Sequence, residues 1–184
     1  MGFHTEIAPD IYRLRVCDAA EAREIVALAE AATWRGATIN ADLAIDRTVR
    51  DADVVDERAH SDLTERCRER LFAASRELAS GLAPETVLAE VQIVRYRPGG
   101  QYADHRDSPA PGATPRALSL VWYLNDDFSG GATRFADPEI AVEPVSGIAV
   151  AFAPELMHRA EPVTAGVKYA ITAWYHRVPL AGQG

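Results

Sequence analysis

The second half of this chain is a succession of short apolar segments divided by turns, and this pattern restricts the fold more than any other feature. The predicted strands are 87–96, 118–124, 132–135, 139–145, 147–153 and 167–177. Gly, Pro, Asn and Asp residues separate them, and segment 118–124 is apolar on both faces, as in a buried strand. Short strands with frequent turns predict a closed or double-layered β core rather than alternating strands and helices.

The first half predicts a short strand followed by two supporting helices. The strand covers 11–17, and the helices cover 19–32 and 61–81. Asp18 is the expected N-cap of the first helix, which should end near Trp34. Ser61 or Asp62 is the expected N-cap of the second helix, and Gly81 is its expected C′ glycine.

Segment 37–60, between the two helices, has no sustained periodicity and carries many charges. It is either a solvated connection with short strands or a lid over a functional site. We expect a single domain over 1–184. In this division, residues 1–85 supply N-terminal strands, the two helices and the lid, and residues 86–178 form the β core.

Composition narrows the class of protein. The net charge of −8 argues against a protein whose main task is binding nucleic acid. No segment is apolar over the length of a membrane-spanning helix, and the N-terminus lacks the apolar core of a signal peptide, so a cytoplasmic protein without a membrane partner is expected. Cys17 and Cys67 are expected to be buried thiols in a reducing compartment.

Segment 96–107, YRPGGQYADHRD, contains the first candidate site. On an extended strand, His105 and Asp107 project from the same face. A His-x-Asp triplet arises by chance in many chains, so it needs a third ligand. His158 follows one predicted strand and precedes another, whereas His4, in an expected frayed terminus, and His60 are expected at the surface. Two histidines and one carboxylate form the ligand set of non-haem Fe(II) oxygenases.

Lys168 is the only lysine among 19 basic residues and opens the last predicted strand. The alternation of that strand places Lys168 on one face with Ala170, Thr172, Trp174 and His176. An unpaired charge on an apolar face is costly, so a carboxylate entering the core would be a suitable partner. The alternative is a lysine that faces the surface at the start of a strand.

These motifs, in this order, resemble the 2-oxoglutarate- and Fe(II)-dependent dioxygenases, and in particular their prolyl 4-hydroxylase branch. The matching segments are YRPGGQYADHRD (96–107), LVWYLND (120–126), SGGATRF (129–135) and HRAEPVTAGVKYAITAWY (158–175). The resemblance implies a mainly β fold with supporting helices, built on a double-stranded β-helix (jelly-roll or cupin-like) core. It covers about half of the chain, and the joint match is far more specific than any single motif.

The resemblance also implies roles for individual residues. His105, Asp107 and His158 would hold Fe(II), which 2-oxoglutarate chelates and which leaves one position for dioxygen. The pocket for 2-oxoglutarate is assigned to Lys168, Tyr123, Tyr96, Thr133, Thr172 and Trp174. Ascorbate is a candidate reductant.

The implied reaction is the oxidative decarboxylation of 2-oxoglutarate to succinate and carbon dioxide, coupled to hydroxylation of an unactivated C–H bond. The carboxylate of Asp107 favours hydroxylation over halogenation, because related halogenases lack it. The expected substrate is a prolyl or peptidyl group or a free amino acid-like metabolite. Candidate substrate contacts are Tyr102, Arg116 and Arg47, the last of which lies with Arg50 in the expected lid.

Lys168 leaves the subfamily open. Collagen-type enzymes have lysine at this position, whereas the surrounding VKYAITAWY resembles the oxygen-sensing enzymes, which have arginine. Three alternative functions fit the sequence less well. A nucleic-acid demethylase of the same superfamily would show a basic face, a cupin-type isomerase or metal-storage module would lack the lysine, and a silent binding domain would have lost a ligand.

Overall fold

The computed structural model describes residues 4–39, 44–83, 85–108 and 114–178. Its elements, in chain order, are β1 (His4–Ala8), β2 (Ile11–Arg15), α1 (Ala19–Glu30), β3 (Trp34–Gly36), β4 (Asp53–Val55), α2 (Ser61–Leu82), β5 (Thr86–Tyr96), β6 (Tyr102–His105), β7 (Arg116–Tyr123), β8 (Ser129–Gly130), β9 (Thr133–Ala136), β10 (Glu139–Val142), β11 (Ile148–Phe152), β12 (His158–Ala160), β13 (Val163–Ala165) and β14 (Lys168–Arg177).

Two main sheets form the core. The larger has eight strands in the order β1-β2-β11-β7-β14-β5-β4-β3, and the smaller has four in the order β10-β9-β12-β6. Strands distant in sequence are neighbours, as when β14 pairs antiparallel with both β5 and β7. A further pair, β13 and β8, lies outside these two sheets. The sheets confirm the prediction of a double-layered β core.

The alternation of β14 divides its side chains between two environments. Tyr169, Ile171 and Tyr175 belong to the apolar cluster that α1 and α2 cover, together with buried Ile25 and Leu71 of the helices. A second apolar cluster fills the space between the two sheets and draws on both. Its buried members are Ile11, Tyr123, Phe135, Val142, Val150 and Phe152. The helices therefore support the outer face of the large sheet and leave its inner face for the site.

The two helices begin and end partly as expected. The side chain of Asp18 accepts hydrogen bonds from the backbone N–H groups of Ala20 and Glu21, at 2.9 Å each, which confirms the predicted N-cap of α1. The predicted caps of α2 are wrong. His60 occupies its N-cap position without a capping side-chain hydrogen bond, and the helix continues through Gly81 to Leu82.

Strand pairing connects part of segment 37–60 to the large sheet. Trp34–Gly36, where α1 was expected to end, forms β3 and pairs with β4, which in turn pairs with β5. Residues 40–43 lie outside the described residues. One short strand, β4, lies within this segment, and Arg50 forms a β-bridge with Tyr102. The expected connection with short strands is thus confirmed in part, whereas the lid stays a prediction.

The structure also bears on His4, on the two cysteines and on the helices. His4 opens β1 and pairs with Leu14, so the expected fraying at this position is wrong. Cys17 and Cys67 are free and buried, as predicted. Neither described helix has the length and apolar character that a membrane crossing requires.

Candidate active site

His105 and His158 face each other across two paired strands. They are register partners in the antiparallel pairing of β6 with β12, and their ring centroids lie 4.2 Å apart. Asp107 lies two residues beyond the end of β6, where its backbone N–H donates to the carbonyl of Pro154 at 2.9 Å. The strand pairing and this backbone hydrogen bond together bring side chains from two distant segments to one point.

The three side chains form a compact set of metal-ligating atoms. One carboxylate oxygen of Asp107 lies 3.6 Å from Nε2 of His105, and the other lies 3.7 Å from Nε2 of His158. All three ligand atoms lie within 4.8 Å of one another. Asp107 and His158 are buried and His105 is half-buried, so the group lies at the base of a pocket.

Hydrogen bonds hold both imidazoles in the tautomer that a metal requires. Nδ1 of His105 lies 2.8 Å from the carbonyl of Ala103, and Nδ1 of His158 lies 3.0 Å from the carbonyl of Leu156. A carbonyl only accepts, so Nδ1 of each ring carries the proton and donates it. The lone pair of each Nε2 then faces the centre, as in histidines that bind metals.

The protonation states also suit a metal ion. Burial favours the neutral acid at Asp107, but the adjacent His105 and His158 rings hold the pKa of this carboxyl well below its usual range. Burial lowers the pKa of His158, against the opposing effect of Asp107. One carboxylate and two imidazoles are the donors that a divalent iron site needs.

One pocket contains this group and most of the residues predicted to line it. Of the predicted residues, it contains His105, Asp107, His158, Tyr96, Tyr102, Thr133, Lys168, Thr172 and Trp174. Four side chains of β14 at alternate positions, from Lys168 to Trp174, contribute to its wall, as the alternation predicted. The pocket lies between the two sheets.

Lys168 lies at one end of this pocket and is 1% exposed. Nζ donates to the backbone carbonyl of Gly131 at 2.6 Å and lies 5.3 Å from the ring centroids of Tyr96 and Tyr123. Within the described part of the chain no carboxylate forms an ion pair with it. Burial lowers the pKa of Lys168 to about 7, with a small opposing effect from Glu143.

Hydroxyl groups on the same wall have unused hydrogen-bonding capacity. The hydroxyl of Tyr123 donates to Oγ1 of Thr133 at 2.8 Å, which leaves the proton of Thr133 free for another acceptor. Oγ1 of Thr172 is buried and has no partner among the described residues. A buried ammonium and two available hydroxyls make this end of the pocket suitable for a carboxylate.

Three predicted residues lie outside the pocket. Tyr123 lies behind Thr133 and would act on a ligand only through that hydroxyl. Arg116 lies behind the metal ligands and donates to the backbone carbonyl of Asp107 at 3.1 Å. Arg47 forms ion pairs with Asp51 and Asp53, and its side chain is 53% exposed.

Two arginines in the pocket wall were not among the predicted site residues. Arg50 is 5% exposed, and its backbone forms a β-bridge with Tyr102. Arg159 immediately follows His158 and lies near Asp104 and Glu161, at 3.5 Å from each carboxylate. Adjacency to a ligand was an available signal for Arg159. Arg50 was placed in the expected lid with Arg47, but its position in the pocket wall depends on a pairing between distant segments.

Comparison with known proteins agrees with this geometry. Residues 91–176 match the family model of the 2OG-Fe(II) oxygenase superfamily. A PKHD-type hydroxylase of Maricaulis maris is 32% identical over 95 residues, which is 50% of this chain and 43% of the relative. The chain thus spans less than half the length of that relative.

Solved structures share the fold over nearly the whole chain. A prolyl 4-hydroxylase of Pseudomonas putida superposes with a TM-score of 0.65 at 23% identity, covering 92% of this chain and 93% of the other. A prolyl hydroxylase of Trichoplax adhaerens, in complex with a peptide fragment of the hypoxia inducible factor oxygen degradation domain, has a TM-score of 0.69 at 17% identity and covers 91% of this chain and 83% of the other. The fold is therefore the double-stranded β-helix of the prolyl hydroxylases, and residues 91–176 of this chain are similar to the 2OG-Fe(II) oxygenase superfamily.

Proposed function

We propose that this chain is an Fe(II)- and 2-oxoglutarate-dependent dioxygenase that hydroxylates an unactivated C–H bond and releases succinate and carbon dioxide. The observation that carries the proposal is the placement of the His105, Asp107 and His158 group and of buried Lys168 in one pocket. A metal-binding module without catalysis would have no use for a buried lysine in the same pocket that forms no ion pair among the described residues.

In this proposal His105, Asp107 and His158 would hold Fe(II), and 2-oxoglutarate and dioxygen would bind to the same iron. Bound iron supplies the redox chemistry in which dioxygen oxidises 2-oxoglutarate and the substrate C–H bond. The carbonyls of Ala103 and Leu156 keep both imidazoles oriented, so the ligand set is preorganised before the metal binds.

Lys168 binds the distal carboxylate of 2-oxoglutarate. Its ammonium gains in that complex the counter-ion that it lacks among the described residues, so the cost of its burial is offset only when the cosubstrate is present. Thr133 donates its free hydroxyl proton to the same carboxylate, with Tyr123 holding Thr133 in place. Tyr96 and Thr172 complete the wall, and Trp174 lies towards Asp107.

The substrate is a prolyl or peptidyl group or a free amino acid-like molecule that reaches the iron past Tyr102. The ring of Tyr102 stacks on His105 with centroids 3.6 Å apart, so it lines the approach to the metal. Relatives that are prolyl hydroxylases, including one solved with a peptide, support this substrate class. The chain acts as one domain, because strands of residues 1–85 complete the sheet that carries Lys168.

Titration of the anaerobic protein with Fe(II) and 2-oxoglutarate tests the cofactors. We expect the weak metal-to-ligand charge-transfer band of the ternary complex in the wild type and its loss in His105→Ala and His158→Ala. His4→Ala, at an exposed position in β1, is the control and should keep the band. Unchanged succinate formation in either ligand variant would refute the assignment.

Succinate release in air then identifies the substrate class. Free amino acids and proline-containing peptides are compared, with and without ascorbate, for stimulation of succinate release above the uncoupled rate. Stimulation by peptides alone indicates a peptidyl hydroxylase, and stimulation by free amino acids alone indicates a metabolite hydroxylase. If neither group stimulates release, the proposed substrate class is wrong even though the cofactor assignment stands.

A further inference from the structure

Arg50 brings a buried positive charge into the pocket that the proposed cofactors leave unbalanced. The side chain is 5% exposed, and its two hydrogen bonds go to neutral acceptors. Nη1 donates to the carbonyl of Thr38 at 2.9 Å, and Nη2 donates to Oε1 of Gln92 at 3.2 Å. Nε is buried and has no hydrogen-bond partner in the described part of the chain. A guanidinium has five N–H donors, so this one keeps capacity for a further acceptor.

Backbone pairing fixes the position of Arg50 beside the metal group. Residues on either side of it exchange three hydrogen bonds of 2.8–3.1 Å with segment 101–103, which runs into the strand that carries His105. The guanidinium carbon lies 5.0 Å from the ring centroid of Tyr102, and that ring stacks on His105. Arg50 is therefore separated from a metal ligand by one aromatic ring and is not part of a free loop.

The charges in the pocket show which partner this arginine needs. Fe(II) and Asp107 together leave one positive charge, which one carboxylate of 2-oxoglutarate balances. Lys168 balances the other carboxylate. Arg159 is half-exposed, and the carboxylates of Asp104 and Glu161 already lie near it. Arg50 remains as the buried cation in the pocket wall without a counter-ion among the described residues, although the chain as a whole carries a net charge of −8.

We propose that Arg50 binds a carboxylate of the substrate, which makes the substrate an anionic molecule with a carboxylate close to the C–H bond that reacts. The carboxylate is either that of a free amino acid or an acidic side chain next to the reacting residue of a peptide. Arginine suits this task because its planar fork matches a carboxylate and stays charged when buried. This inference rests on the proposed function and specifies its substrate class.

Matched acid and amide probes test it on the full chain under anaerobic conditions, with Fe(II) and 2-oxoglutarate bound. The standard amino acids are each compared with their primary amides. Acetyl-Pro-Asp-amide is compared with acetyl-Pro-Asn-amide to represent the peptide source. Binding is followed by perturbation of the charge-transfer band and by the rise in Tm, so no turnover is required.

We expect at least one acid to bind about tenfold or more tightly than its amide, as a charge-assisted hydrogen bond in a buried site implies. Arg50→Gln should abolish this difference while leaving the affinity for 2-oxoglutarate within about twofold. Arg50→Lys should preserve the preference in weaker form. Arg58→Gln, the same change at an exposed arginine of the same segment, should leave it unchanged.

Several outcomes would overturn the inference. If every acid and amide pair binds alike in the wild type, the proposal fails whatever the variants do, including a variant that does not fold. Preference retained in Arg50→Gln also overturns it. Loss of 2-oxoglutarate affinity in Arg50→Gln would assign the arginine to the cosubstrate instead. Absence of the charge-transfer band in the wild type refutes the proposed function itself, which is a separate result.

Discussion

Lys168 donates its hydrogen bond to the backbone carbonyl of Gly131, 2.6 Å away, and not to a carboxylate. The ammonium is buried, and its acceptor carries only a partial charge, so the interaction compensates little of the desolvation cost. A protein that needed only stability would place an apolar side chain there. The relationship between these two residues therefore predicts opposite effects of mutation on stability and on binding.

Lys168→Met should separate these two effects. The change removes a buried, unpaired charge and keeps most of the volume, so the Tm of the cofactor-free protein should stay the same or rise. The affinity for 2-oxoglutarate should fall by about tenfold to a hundredfold, because the distal carboxylate loses its cation. Thermal unfolding and the charge-transfer titration measure the two quantities. If Lys168→Met binds 2-oxoglutarate as tightly as the wild type, the assigned role of Lys168 is wrong.

The stability of the cofactor-free protein should depend on pH through the same lysine. Its pKa is about 7 in the folded protein, against an ordinary value of 10.5, so between these values the unfolded chain binds more protons. Stability must then rise as the pH increases from about 7 to about 10, and the cost of burial is fully present below about pH 7. The lowered pKa of Lys168 corresponds to a loss of at most ~5 kcal/mol in the free energy of unfolding.

Urea unfolding across this pH range measures the effect against Lys168→Met as the reference. The free energy of unfolding of Lys168→Met should exceed that of the wild type most near pH 7, and this difference should shrink as the pH rises. A constant difference between the two proteins would mean that Lys168 does not titrate in this range.

Gly131→Ala should lower both the free energy of unfolding and the affinity for 2-oxoglutarate. The backbone φ of Gly131 is +71°, and an added Cβ would lie 2.9 Å from Cε2 of Phe128 and 3.2 Å from Cδ of Lys168. The left-handed conformation alone costs about 1–2 kcal/mol for a residue with a side chain. Chemical unfolding should show at least this loss, and the affinity for 2-oxoglutarate should fall as Lys168 shifts.

Gly81→Ala is the matched control for that substitution. Gly81 lies inside α2, and nothing lies within 4 Å of an added Cβ. Alanine in a helix interior should stabilise the protein by up to ~1 kcal/mol without changing cosubstrate binding. Equal effects of the two substitutions would contradict the conformational argument.

Arg116→Gln should weaken metal binding although Arg116 lies outside the pocket. Its guanidinium donates to the carbonyl of Asp107 and to both carboxylate oxygens of Glu90, and it lies 4.1 Å from the ring centroid of Trp174. The arginine thereby fixes the backbone of a metal ligand. Losing such support costs about tenfold in metal affinity, which a Fe(II) titration measures.

Arg66→Gln is the control for Arg116→Gln. Arg66 pairs with Glu24 on the surface, so its loss should leave metal affinity unchanged. If Arg116→Gln binds Fe(II) as tightly as this control, Asp107 is held in place without the arginine.

Much of the fold could be predicted from the sequence because its signals are local. The period of two in β14 assigned Lys168, Thr172 and Trp174 to one face, and the structure places all three in the pocket wall. Turn residues separated the predicted strands because Gly reaches backbone conformations that other residues avoid and Pro fixes φ, and both effects are local. The C-terminal end of α2 was predicted wrongly because the burial of Leu78 and Ala79 continues the helix past a glycine that local propensity would place outside it.

The sequence by itself therefore determined the longer strands of the core, the faces of β14 and the residue types of the candidate metal group. Only the tertiary structure decided which side chains meet. It placed Tyr123 behind Thr133, Arg116 behind Asp107 and Arg50 within the pocket. Each of these positions depends on strand pairing or sheet packing between distant segments, and the free energy that fixes such a contact is absent from the local sequence.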